Sequence, residues 1–308
     1  MKIVILSIWY SEKMGYAENN LPKALAALGH EVIVLTSTAQ VYYNHPQYDK
    51  IYKPYLGEAI QEEGVKEVNG FKLIRLPFKQ IRNKIHIKNI GKYLKEIQPD
   101  VVQSFDPFSF LTIQGAINKM KLGYKFFTAN HTHESVFPIM SRETSTIKKI
   151  GFYITRTLPA SLMNLTVSRC YPTAVDCMRI AKNFYAVPNS KLKLSLLGVD
   201  TQHFMFDFKE KDRNAKLIVD KRRELGIEKD ELLCIYTGRF TENKNPLCLA
   251  QAVHKLRKSG EKVKALFLGS GPQANEISNL NGCIVHNFIP YLELPLYYHL
   301  AQIGVWPR

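Results

Sequence analysis

At 308 residues the chain has room for about two domains, and its 45% apolar and 22% charged residues argue against a disordered or fibrous protein. No stretch approaches the roughly 20 uninterrupted apolar residues of a membrane-spanning helix, and five cysteines without a CxxC pair argue against a disulfide framework or structural zinc, so a reducing cytosol fits best. Lys plus Arg number 42 against 27 acids, a net charge of +15 that attracts polyanions: nucleic acid, anionic lipid or a phosphorylated substrate.

The first predicted element is a buried strand at Lys2–Ser7. Its apolar run is short, lacks a small-residue cleavage site and soon meets Glu12 and Lys13, unlike a signal peptide. A loop, Tyr10–Gly15, leads to a helix with Leu21, Leu25 and Leu28 at i, i+4 and i+7. Pro22 suits its first turn and Gly29 its stop. Further strands are predicted at Glu31–Thr36, Phe71–Leu76, Val101–Gln103, Lys125–Thr128 and Leu165–Ser168. Short β-branched runs alternating with helical patterns predict a parallel sheet with helices on both faces.

The charge is unevenly spread, with 26 basic and 15 acidic side chains in residues 1–200. Val68–Lys95 holds no acid but eight bases: Lys72, Arg75, Lys79, Arg82, Lys84, Lys88, Lys92 and Lys95. Thr144–Val175 is also free of acids, with Lys148, Lys149, Arg156 and Arg169 among Ile147, Ile150, Phe152, Tyr153 and Ile154. Each run is either a polyanion surface or an ordinary solvated face.

Phe206–Glu231 is dense in charge and reads as a linker plus an exposed helix ending at Gly226. A second α/β series starts at Leu232-Leu233-Cys234-Ile235-Tyr236. It continues with a helix over Pro246–Lys258, strands at Lys264–Leu268 and Cys283–His286, a helix over Leu292–Ala301 and a strand at Ile303–Trp306. The chain is thus expected to divide into residues 1–200, a connection at 201–231, and 232–308. The last part is 77 residues long and stops inside a strand. Open α/β domains take roughly 100–150 residues, so the second domain is expected to be incomplete and the chain cut short.

The strongest local signal is Tyr236-Thr237-Gly238-Arg239-Phe240-Thr241-Glu242-Asn243-Lys244-Asn245-Pro246. A buried strand runs into a glycine turn, then Arg239, then Lys244 just before a helix that Pro246 helps start. Cations beside a helix N-terminus form a diphosphate cradle, or else an ordinary turn with solvated side chains. Leu268-Gly269-Ser270-Gly271-Pro272 follows the next strand, where glycines permit either a close ligand or a simple tight turn. It lacks the third glycine and ribose carboxylate of the dinucleotide fingerprint. The single glycine of Tyr10–Gly15 likewise disfavours a nicotinamide or flavin domain. His131 and His133 stand at the end of an apolar strand, where α/β proteins place ligand-facing groups. A metal reading of the pair with Glu134 lacks a second cluster of ligands.

Taken in order, these features resemble the GT-B glycosyltransferases, specifically the large retaining family four. The matching stretches include Met1–Leu6 with the loop to Gly15, Leu28-Gly29-His30-Glu31-Val32 and Pro99-Asp100-Val101-Val102. They continue with the strand to His131, Leu165–Ser168, Leu197-Gly198-Val199-Asp200 with Phe204, Gly238-Arg239 with Lys244, Gly269-Ser270-Gly271-Pro272 and Leu294–Pro307. The resemblance implies an α/β protein of two Rossmann-like domains facing a cleft, the second incomplete, with acceptor on the first and sugar nucleotide on the second. Arg239 and Lys244 would hold the donor diphosphate and stabilise the leaving group, replacing a divalent metal. Gly15 would let the first loop approach the donor phosphates, His131 rather than His133 would contact the transferred sugar, and Gly269 and Gly271 would line the nucleotide pocket. Asp200 would close a turn and take no part in the chemistry.

The chain departs from the family at the single glycine of its first loop, at Gln103 in place of histidine and at Leu197 in place of asparagine. In the family a loop and helix with two glutamates seven residues apart follow the equivalent of Arg308, and this chain is expected to lack them.

The implied enzyme is a retaining hexosyl-type transferase with catalytic His131, Arg239 and Lys244, without metal or cofactor. A nucleotide-diphosphate sugar is its co-substrate and a glycan or polyprenyl or other lipid-linked molecule its acceptor. It would be cytoplasmic, resting on the anionic inner face of a membrane through its basic first domain. The alternative is a non-catalytic form or binding subunit that keeps the fold. A nucleic-acid partner rests on charge alone, since no reading module or ordered aromatic platform accompanies it.

Overall fold

The computed structural model describes residues 1–81, 84–133, 144–205 and 211–307. The chain divides into two compact units, Met1–Val199 and Asp200–Arg308.

The first unit contains β1 (Lys2–Leu6), β2 (Glu31–Ser37), β3 (Gly64–Val68), β4 (Phe71–Leu76), β5 (Phe78–Ile81), β6 (Lys84–Ile87), β7 (Val101–Ser104), β8 (Lys125–Asn130) and β9 (Arg169–Pro172). Seven of them form one sheet in the order β3-β4-β2-β1-β7-β8-β9. All neighbours are parallel except the edge strand β3, which turns back antiparallel on β4. Along β1, Val4 and Leu6 enter one core layer, and Ile3 and Ile5 the opposite one. Burial on both faces is why this strand is an unbroken apolar run instead of an alternating one. The Ala17–Ala27 helix covers one face with Leu21, Leu25 and Ala26, while the Ile90–Ile97 and Phe110–Leu122 helices cover the other. The latter helix lies close to the sheet at Gly115, where a Cβ would meet the Phe126 ring at 2.8 Å.

The expected strand at Leu165–Ser168 is corrected to Arg169–Pro172. A helix ends at Met163, and the Asn164 amide pins the following turn by donating to the Tyr185 carbonyl at 2.8 Å. Leu165, the first residue of the expected strand, is 80% exposed. Three strands escaped sequence reading: the edge strand β3, whose first four residues are exposed, and β5 and β6, which pair antiparallel.

The second unit contains β10 (Leu232–Thr237), β11 (Val263–Leu268), β12 (Cys283–His286) and β13 (Ile303–Gly304), in the order β12-β11-β10-β13 and all parallel. The helix expected before Gly226 is present at Lys211–Glu224. It belongs to this unit: Ile218 packs on the Leu233–Leu300 core, and the Arg222 guanidinium donates to the carbonyls of Leu300, Glu228 and Glu231. The stretch 206–210 of the expected connection lies outside the described residues, as do Arg82 and Glu134.

Candidate functional site

In open parallel sheets the ligand crevice lies beyond the carboxyl ends of the strands, where the strand order reverses. In the second unit that point falls between β10 and β13. Arg239 and Lys244 both belong to the loop that leaves β10 there. Arg239 follows Gly238, and Lys244 ends a short 3₁₀ turn immediately before the Pro246–Lys258 helix. Both side chains are exposed. The loop is held from several sides. The Tyr236 hydroxyl donates to the Arg239 carbonyl at 3.0 Å, and the Trp306 indole donates to the Thr237 carbonyl at 3.1 Å. The Thr237 and Tyr298 hydroxyls share a 2.8 Å hydrogen bond. Two cations on a braced loop, beside the positive end of a 13-residue helix, suit a diphosphate.

Gly269 and Gly271 leave β11 next to this loop, and their close neighbour is protein backbone. A Cβ on Gly269 would stand 1.9 Å from the Gly238 carbonyl oxygen, and one on Gly271 would stand 2.4 Å from that of Phe240. The Phe240 amide donates to the Ser270 carbonyl at 2.9 Å, locking the two loops together. The glycines therefore set how the Arg239 loop lies against its neighbour.

In the first unit the strand order reverses between β1 and β7. The loop after β1 ends at Gly15, a half-buried residue whose carbonyl accepts from the Asn20 amide at 3.2 Å, directly before the Ala17–Ala27 helix. The loop after β7 holds Asp106, a residue that sequence reading passed over. Its backbone is fixed by Thr112 and Ser104, whose hydroxyls donate to its carbonyl at 2.9 and 3.3 Å. Burial pushes its carboxyl up to about 6. The available signal was an acid just past an apolar strand, in Phe105-Asp106-Pro107.

His131 and His133 follow β8 and differ in surroundings. The His133 ring pairs with Asp176 at 2.7 Å, in the first turn of the Val175–Phe184 helix. His131 stands edge-on to Phe105, with centroids 5.7 Å apart, and desolvation lowers its pKa. A neutral imidazole there can both donate and accept, which suits sugar hydroxyls. Among the described residues no three His, Cys, Asp or Glu side chains gather as a metal-ligand set. Asp200 caps a short helix through a 3.3 Å bond from the His203 amide. No helix among the described residues is long and apolar enough to cross a membrane.

Residues 218–308 match the family model of glycosyl transferases group 1. The chain is 21% identical over 297 residues to alpha-monoglucosyldiacylglycerol synthase of Acholeplasma laidlawii, covering 92% of this chain and 68% of the synthase. HepE of Anabaena, solved with UDP-glucose, superposes with a TM-score of 0.61 at 15% identity, over 99% of this chain and 73% of HepE. A glycosyltransferase of Rickettsia africae gives 0.63 at 13% identity, over 99% and 72%. WaaG, a glycosyltransferase involved in lipopolysaccharide biosynthesis, gives 0.61 at 13%, over 99% and 74%. At such identities the solved structures establish the fold.

Proposed function

We propose that this chain, a GT-B protein whose residues 218–308 form a glycosyl transferases group 1 domain, moves a hexose-type unit from a nucleotide-diphosphate sugar to a lipid-linked or glycan acceptor, with retention of configuration. The observation that carries this reading is the position of Arg239 and Lys244 on the braced loop at the reversal of the second sheet. In the transfer the bond from the anomeric carbon to the diphosphate oxygen breaks, a bond to an acceptor hydroxyl oxygen forms, and the proton of that hydroxyl passes to the departing diphosphate. Negative charge then collects on the departing diphosphate. Cations beside that charge stabilise the transition state more than the bound donor, which is what accelerates the step.

Gly269 and Gly271 serve the same site by seating the Arg239 loop, and they line the nucleotide pocket. Gly15 is assigned to close approach of the first loop to the donor phosphates, and His131 to the transferred sugar. The lipid acceptor is supported by the likeness to a monoglucosyldiacylglycerol synthase. The nucleotide donor is supported by the HepE complexes with UDP and UDP-glucose.

Calorimetric titration of the full chain with UDP and UDP-glucose tests the donor site. Saturable binding is expected, weakened roughly tenfold or more in Arg239→Ala and Lys244→Ala, since a charge-assisted hydrogen bond is worth about 1.5–3 kcal/mol. Neither UDP nor any other nucleoside diphosphate binding, or both variants binding as tightly as the parent, would overturn the assignment.

A further inference from the structure

The backbone from Thr146 to Met163 is one continuous helical run: α-helix to Phe152, a π turn over Tyr153–Thr157, then α-helix again. This run has two apolar sides. Its inner side is anchored to the first unit. The Phe152 ring meets Phe184 edge-on at 5.5 Å, Ala160 joins the core formed by Cys170, Ile180 and Tyr185, and Met163 packs on the main core. Its outer side presents Ile147, Ile150, Ile154, Leu158 and Leu162, continued by Leu165 in the turn that follows. All six are exposed, Ile147 by 82%. Their spacing of three or four residues keeps them on one stripe, about 22 Å long from Ile147 to Leu162 at 1.5 Å per residue.

A surface helix of a globular protein needs one apolar face toward the core and a polar face toward water. This helix already has its core face, so the outer stripe calls for an apolar environment that the described residues do not supply. The surrounding charge says which kind. Lys148 and Lys149 flank the stripe and are exposed, and no acid occurs between Thr144 and Val175. Arg156, over the Phe152 ring at 5.9 Å, and Lys84 are close enough for Arg156 to help burial in lowering the pKa of Lys84. Two copies of this face would bring lysines against lysines, without a carboxylate in the stretch to offset them. Anionic headgroups above an acyl layer match both features at once.

We propose that the outer face of residues 146–165 is a membrane-docking surface that lies in the plane of an anionic bilayer. Its six aliphatic side chains reach the acyl boundary, and Lys148 and Lys149 sit among the headgroup phosphates. The surface extends the reading of a lipid-linked acceptor, and rests on that reading for its purpose, but its geometry stands on this helix alone.

Flotation of the full chain with phosphatidylcholine vesicles, with and without phosphatidylglycerol, tests it. The parent is expected on the anionic vesicles at low salt, with partial release at high salt because the apolar stripe remains engaged. Ile150→Glu combined with Ile154→Glu should reduce retention by about tenfold or more, and Lys148→Glu combined with Lys149→Glu should do the same at low salt. Both pairs are solvent-exposed, so the melting temperature should hold. Unchanged vesicle binding by the isoleucine pair, or equal retention by neutral vesicles, would overturn the proposal. So would a dimer in light scattering that the isoleucine pair dissolves, which would assign the stripe to a second copy. UDP titration of the same variants keeps the two readings apart: loss of vesicle binding with nucleotide binding intact is expected, and absence of nucleotide binding in the parent bears only on the donor site.

Discussion

The Tyr236 hydroxyl donates a 3.0 Å hydrogen bond to the carbonyl oxygen of Arg239, closing the turn at Gly238 beneath it. The same hydroxyl would lie 3.1 Å from a Cβ at Gly238, so the phenol, the glycine and the cation form one small unit. Tyr236→Phe keeps the buried ring and removes only the donor. A loss of about 1 kcal/mol in stability is expected from denaturant unfolding, with UDP affinity falling several-fold as the Arg239 turn loosens. Unchanged affinity would mean that the turn is held without this bond.

Asp106 stands beyond β7 with its backbone tied down, and burial raises the pKa of its carboxyl from the ordinary 3.8 to about 6. An acid whose folded pKa is raised binds its proton more readily in the folded state. Stability from this group is therefore complete below about pH 4 and is lost as pH rises through 6. Asp106→Asn removes that loss. Unfolding free energies should show the variant more stable than the parent at pH 7.5, by on the order of 2–3 kcal/mol, and close to it at pH 4. Equal stability at both pH values would show that the carboxyl is well solvated. A fall in transfer rate beside the gain in stability would place Asp106 among the residues that serve function at the expense of the fold.

Glu231 shows the opposite sign at the other end of the second sheet. Its carboxylate is 6% exposed and pairs with Arg257 at 2.7 Å and Lys264 at 2.9 Å. Burial alone would raise its pKa, but the Glu228 amide and the two cations outweigh burial and hold it at about 2. The stabilisation is present above about pH 4.5 and disappears as pH falls toward 2, on the order of 3 kcal/mol in all. Glu231→Gln should lower the melting temperature at pH 7 and flatten its dependence on pH between 4.5 and 2. A parent and variant with parallel pH profiles in that window would count against the buried pair.

Many of the elements were readable in chain order because burial on both faces leaves a plain mark. Ile3 to Leu6, Val32 to Leu35 and Leu233 to Tyr236 are apolar runs without alternation, as parallel strands under two helical layers require. The loop of Arg239 and Lys244 was equally legible, since a glycine, two cations and a helix-starting proline are adjacent in the chain. Leu165–Ser168 misled because an apolar run at a helix end resembles a strand until the Asn164–Tyr185 bond fixes the turn. The edge strand β3 carries little burial signal, and so offers no pattern to read.

What the sequence determined by itself is everything that depends on near neighbours: the α/β alternation, the cation-bearing loop, and the acid-free stretch of residues 144–175 with its interleaved bases and apolar side chains. What only the tertiary structure decided depends on pairs far apart in the chain. His133 is tied to Asp176 while His131 is not, Gly269 makes room for the Gly238 carbonyl, and Asp106 lies where the sheet order reverses. The Ile147–Leu165 stripe faces outward because Phe152, Ala160 and Met163 occupy the core. Periodicity tells how many apolar faces a helix has, and only packing selects which of them is buried.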